Sequence, residues 1–188
     1  MYNRKQVKAN AKAALKGHLG VSIVTILVIG ILLSVASATV IGAILLAGPL
    51  MAGLAFFFTK LYRKEDVRFQ DSFGGFANFS GNVIAGVLVA IYTFLWSLLF
   101  FIPGIIKQLS YSMTFYILND HPEYTATQAI TESRKMMNGH KWNLFVLSLS
   151  FIGWDLLSVL TFGILEIVYV LPYKKAAIAG FYDAIKGE

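Results

Sequence analysis

Three charged side chains stand in apolar surroundings: Lys107, Asp155 and Glu166. An ionised group in lipid is costly and pairs with another or faces a cavity. One cation and two anions at similar depth would suit a substrate or proton site in a small transporter. The plainer reading is that the long Lys and Glu side chains reach nearby headgroups. Other chemistry is hard to assemble. His18, His121 and His140 have no zinc-binding spacing, and no nucleophile elbow, phosphate loop or dinucleotide fingerprint is present. Asp120, His121 and Glu123 surround Pro122, the composition of a solvated turn. With no cysteine, disulfides, thiol catalysis and Cys-ligated metal are excluded. The expectation is a non-enzymatic protein with no cofactor and no metal.

The elements that hold these residues are set by one stretch. From Leu19 to Thr59 no side chain is charged. A helix rising 1.5 Å per residue needs about 20 apolar residues to cross a bilayer core. The run is therefore two crossings, and lipid admits only helices or closed barrels. The composition agrees: 57% hydrophobic and 14% charged, with mean hydropathy +0.67. Ala36-Ser37-Ala38 resembles a signal-cleavage site, but strong hydrophobicity continues beyond it, so cleavage is not expected.

The chain reads as all-α, a single polytopic membrane domain over 1–188 with about six transmembrane helices in three hairpins and a cytoplasmic amphipathic helix. Residues 1–18 form a solvated basic leader on the cytoplasmic side, the alternative being an interfacial anchor on anionic lipid. Hairpin one covers 19–62. Its Gly30, Ser34, Ala38 and Gly42 recur every four residues, a small-residue stripe that packs on another helix of the chain or on a second copy. Gly48-Pro49 kinks or starts its second span. Phe69, Phe73, Phe76 and Phe79 suggest an interfacial segment that Gly74-Gly75 keeps from regular helix. Hairpin two covers 81–119 and turns at Pro103-Gly104, its second span being short. The interfacial helix 125–138 opens with a Thr125-x-x-Gln128 capping box and stops at Gly139. Hairpin three covers 142–182 and is interrupted near Pro172.

Charge counting sets orientation. Five Lys and Arg precede span one, four follow span two, three lie around the amphipathic helix and three near the C-terminus; Lys107 is the sixteenth. Three hairpins put fifteen on one side, which must be cytoplasmic, with both termini there. Lys107, Asp155 and Glu166 then lie together near the outer face. The net charge of +6 is explained by orientation and anionic headgroups, so nucleic acid is not an expected partner.

Several blocks carry a family resemblance: Pro103-Gly104-Ile105, Tyr111-Ser112-Met113, Tyr116-Ile117-Leu118-x-Asp120-x-Pro122, Ala129-Ile130-x-x-Ser133-x-x-Met136-Met137-x-Gly139-x-Lys141, Leu149 to Trp154, and Pro172-Tyr173. Together they resemble a family of small integral membrane proteins of Gram-positive bacteria, the domain of unknown function 975. More distantly, the spans are similar to the membrane domain attached to some bacterial glycerophosphodiester phosphodiesterases, whose catalytic domain has no counterpart here. The resemblance implies a membrane protein and carries over no catalytic residue. The expected role is an accessory or assembly component of the bacterial cytoplasmic membrane, with the lipid bilayer, another membrane protein or a second copy as partner. The rival is a small transporter or exporter using Lys107, Asp155 and Glu166.

Overall fold

The computed structural model describes residues 2–99 and 101–187, and every element among them is helical. Met1 and Glu188, the ends of the expected domain, lie outside the described residues. So does Phe100, inside the expected hairpin two.

Helix α1 (Arg4–Leu15) starts under the Asn3 side chain, which accepts from the Lys5 and Gln6 amides. It is no solvated leader. Val7, Ala11, Ala14 and Leu15 are buried. Tyr2 meets Phe181 edge-on at 4.9 Å, and Lys8 Nζ donates to the Ser150 carbonyl (3.2 Å) and hydroxyl (3.0 Å). Lys5, Lys12 and Lys16 stay in water while the narrow alanine face lets the helix lie close to its neighbours.

Gly17, at φ +92°, turns the chain into α2 (Leu19–Ala36). Thr39 then caps α3 (Val40–Tyr62), which runs through Pro49 without interruption, so Gly48-Pro49 does not start a span. Helix α2 packs through Ser22, Thr25, Ile29 and Ala36. The stripe expected to pack inside the chain faces outward instead: Gly30, Ser34 and Ala38 are exposed and Gly42 is half-buried. The close-packing surface is on α3. A side chain at Gly48 would strike the Asn82 carbonyl, and one at Gly53 the Ser72 carbonyl. The segment expected at the interface is thus a 3-10 helix (Phe69–Phe76) docked on α3.

Helix α4 (Phe79–Leu99) and α5 (Phe101–Tyr111) run antiparallel, Tyr92 beside Tyr111 and Trp96 beside Lys107. Pro103 and Gly104 lie in the first turn of α5, where proline costs no hydrogen bond, and Gly104 packs on Ser97. Next come α6 (Thr114–Asp120), α7 (Ala126–Met136), α8 (Lys141–Leu149) and α9 (Ile152–Leu160). Phe162 and Gly163, both at positive φ, reverse the chain into a π-helical turn (Glu166–Val170) and α10 (Leu171–Ile185), with Pro172 in its first turn.

Among the described residues, four helical stretches are long and apolar enough to span a membrane: Leu19–Ala36, Val40–Tyr62, Phe79–Leu98 and Lys141–Leu160. The two further spans expected, at 105–118 and beyond 163, do not form single helices of that length. The first breaks at Ser112-Met113 into α5 and α6. The second changes from π to α geometry and carries Glu166, Lys174, Lys175 and Asp183. Apolar side chains at the chain reversals are bare: Val40 is 77% exposed, Ile102 69% and Phe162 97%. So much exposed apolar surface suits lipid, not water. The buried core gathers around the C-terminal half of α3, with Leu50, Phe57, Phe58 and Leu61 against Met113, Ile117, Phe181 and Tyr182.

Candidate functional site

Lys107, Asp155 and Glu166 do not form one cluster. Asp155 on α9 and Glu166 in the π turn both pair with Lys174 of α10, at 2.5 and 3.4 Å. They face each other across hairpin three, where Phe151 also meets Tyr173 at 4.9 Å. Lys107 belongs elsewhere. Its Nζ lies 4.3 Å from the centre of the Trp96 ring, and among the described residues no carboxylate pairs with it. Its position follows from the α4–α5 antiparallel pair, which carries α5 against α7 and α8. Its partners are cations.

Two adjoining cavities, of about 270 and 430 Å³, share Lys107, Thr131 and Arg134 as walls. Tyr92, Trp96 and Tyr111 line the first; Ser110, Lys135, Asn138 and Lys141 line the second. No carboxylate lines either among the described residues. Glu132 neutralises Lys135 at 2.7 Å, while Arg134 and Lys141 have no ion-pair partner among the described residues. Like charges so gathered repel, so the backbone must hold them.

It does so through α7. The reciprocal capping box of Thr125 and Gln128 sets where the helix begins. Ala126, Ala129, Ile130 and Ser133 form its buried face. Ser133 Oγ donates to the Ser110 carbonyl (2.8 Å) and accepts from the Met113 amide (3.2 Å), pinning α7 to the break between α5 and α6. Arg134, one residue on, then stands beside Lys107 on α5. Gly139, at φ +85°, turns the chain so that Lys141 enters from the start of α8.

A second charged cluster is neutralised. Arg63, just past α3, is bidentate to Asp120 (3.1 and 2.8 Å) and to Asp183 (3.0 and 2.8 Å). Tyr182 donates to Asp120 at 3.0 Å, and Lys186 reaches both carboxylates at 3.2 and 3.3 Å. Burial disfavours the Asp120 charge, but hydrogen bonds from Arg63, Lys186 and Tyr182 outweigh it and bring the carboxyl down to about 2. Hydrogen bonds from Arg63 to Asp183 and then Asp120 raise the guanidinium above its ordinary range. This cluster ties the C-terminal ends of α3, α6 and α10. Sequence reasoning missed it, because its members are 57 and 120 residues apart and each sits among ordinary loop charges. For the cationic cleft a signal existed: Arg134, Lys135 and Lys141 have one acidic neighbour, Glu132, within nine residues either side.

Comparison with known proteins gives one family. The model described as protein of unknown function (DUF975) matches residues 1–110 and 98–188. No curated protein and no solved structure matches the chain.

Proposed function

We propose that this chain, which belongs to the DUF975 family of proteins of unknown function, is a non-enzymatic multi-pass protein of the bacterial cytoplasmic membrane that holds anionic phospholipid headgroups in the cleft between α4, α5 and α7. One observation carries the reading. Lys107, Arg134 and Lys141 share a cleft without a carboxylate, next to helices whose outer faces are apolar. Basic pockets between membrane helices suit anionic headgroups, and Trp96, Tyr92 and Tyr111 suit the level where headgroups begin. Ser110 and Thr131 add polar oxygen to the walls. The excess of Lys and Arg before α2 and after α3 argues for both termini on the cytoplasmic side. The bare stripe of Gly30, Ser34 and Ala38 leaves α2 open to another membrane protein or a second copy.

The test is lipid binding by purified protein in nanodiscs, comparing phosphatidylglycerol with phosphatidylcholine by native mass spectrometry. Retention of phosphatidylglycerol is expected, and Arg134→Gln with Lys141→Gln should weaken it strongly. Equal retention of both lipids by the unaltered protein would overturn the reading.

A second reading, a small transporter or exporter, is favoured by one observation: Lys174, Asp155 and Glu166 form a hydrogen-bonded charge group within hairpin three. Proton or substrate flux in proteoliposomes that disappears in Glu166→Gln, with the fold intact, would select it.

A further inference from the structure

On the far side of Tyr111 from the cationic cleft lies a larger cavity of about 460 Å³. Its walls come from α3, α4, α5, α6, α8 and α10, and Leu54, Val89, Leu109, Phe115, Leu144 and Ile178 make them mostly apolar. One cation lines it. Lys175 of α10 is half-buried, and among the described residues its ammonium has no hydrogen bond, ion pair or ring contact. The neighbouring Lys174, one residue away, is neutralised by Asp155 and Glu166, so the absence of a counter-charge is specific to Lys175. Of the other polar groups, the Ser112 and Ser148 hydroxyls give their hydrogens to carbonyls of Leu109 and Leu144, while Gln108, Tyr111 and Tyr116 add uncharged polar groups to the wall. An ammonium held partly out of water without a partner is unfavourable, and an anion brought to it would relieve that cost.

We propose that this cavity takes a single-chain anionic amphiphile, with its carboxylate or monoester phosphate on Lys175 Nζ and its chain along the apolar wall. A volume at the small end of the roughly 300–1,000 Å³ range of ligand sites suits one chain and not two. The polar contact is one point charge against many apolar neighbours, the arrangement that fixes a ligand's orientation while burial supplies affinity. The proposal goes beyond headgroup binding in the cationic cleft and does not depend on it.

The experiment uses the full chain in phosphatidylcholine nanodiscs, with dodecanoate carrying carbon-13 at its carboxyl, dodecyl phosphate and dodecanol as probes. One dodecanoate or dodecyl phosphate per chain should bind saturably, at least ten-fold tighter than dodecanol. Lys175→Met should abolish that preference and raise the unfolding temperature, because it removes the uncompensated charge while keeping the volume. A structural lysine would instead lose stability. Should Lys175→Met fail to fold, Val89→Phe fills the cavity from the opposite wall and should remove binding of all three probes. Arg134→Gln with Lys141→Gln should leave dodecanoate binding unchanged. Dodecanol binding as tightly as dodecanoate, or a preference that survives Lys175→Met, would overturn the proposal. So would a preference that disappears in the Arg134 and Lys141 variant, which assigns the anion to the other cleft.

Discussion

Arg63 and Arg134 are the same side chain in opposite circumstances. Around Arg63, two carboxylates, a tyrosine and a lysine close a network whose charges nearly cancel. Around Arg134, cations from α5, α7 and α8 share a cleft in which the nearest ion pair belongs to Lys135. The first arrangement is complete within the chain and joins three helix ends. The second is incomplete, and its imbalance is what an external anion would correct. Charge density alone therefore says little; whether the protein supplies the counter-charge separates a structural cluster from a binding one.

The widest contrast should come from removing each guanidinium. Arg63→Met leaves Asp120 and Asp183 half-buried without their main partner. It should cost about 3 kcal/mol, the range for breaking a buried ion pair. Arg134→Met should change stability by less than about 0.5 kcal/mol. Reversible unfolding of both variants in mixed micelles measures the difference, and equal losses would erase the distinction. Acid should single out the same cluster. The folded pKa of Asp120, about 2, is below its ordinary value of 3.8, so its stabilisation is full above pH 4 and is lost as pH falls through 2. A depression of that size corresponds to about 2 kcal/mol. Asp120→Asn should flatten the unfolding curve between pH 4 and pH 2, and an unchanged curve would count against the network.

Binding should respond at the other cluster. Each surface cation is worth about 1 kcal/mol toward an anionic membrane. Arg134→Gln with Lys141→Gln should therefore weaken retention of phosphatidylglycerol about thirty-fold. Glu132→Gln, which frees Lys135, should strengthen it by about five-fold. Loss of affinity there would mean that Glu132 organises the cleft instead of opposing it. Asp66→Asn, which breaks an exposed pair with Arg68, is the control and should move neither stability nor binding by more than about 0.5 kcal/mol.

Much of the fold could be read locally. The uncharged run from Leu19, the capping box at Thr125 and the stop at Gly139 all appear where local chemistry puts them. Other parts could not. The small-residue stripe of α2 has the spacing of a packing face, yet the backbone approaches Gly48 and Gly53 of α3, because those are the positions that Asn82 and Ser72 reach. The basic leader has so thin an apolar face that it reads as solvated. It is buried because Ala11 and Ala14 let it lie flush against the core.

The sequence by itself determined the apolar helices and many of their ends, since hydrophobic length, caps and positive-φ glycines act within a few residues of where they stand. Tertiary structure alone decided which charges meet. Lys107 joined Arg134 and Lys141, Asp155 and Glu166 took Lys174, and Arg63 took Asp120 and Asp183. The reason is reach: a side chain extends only a few ångströms, so its partner is chosen by which helices pack side by side, and no local pattern records that.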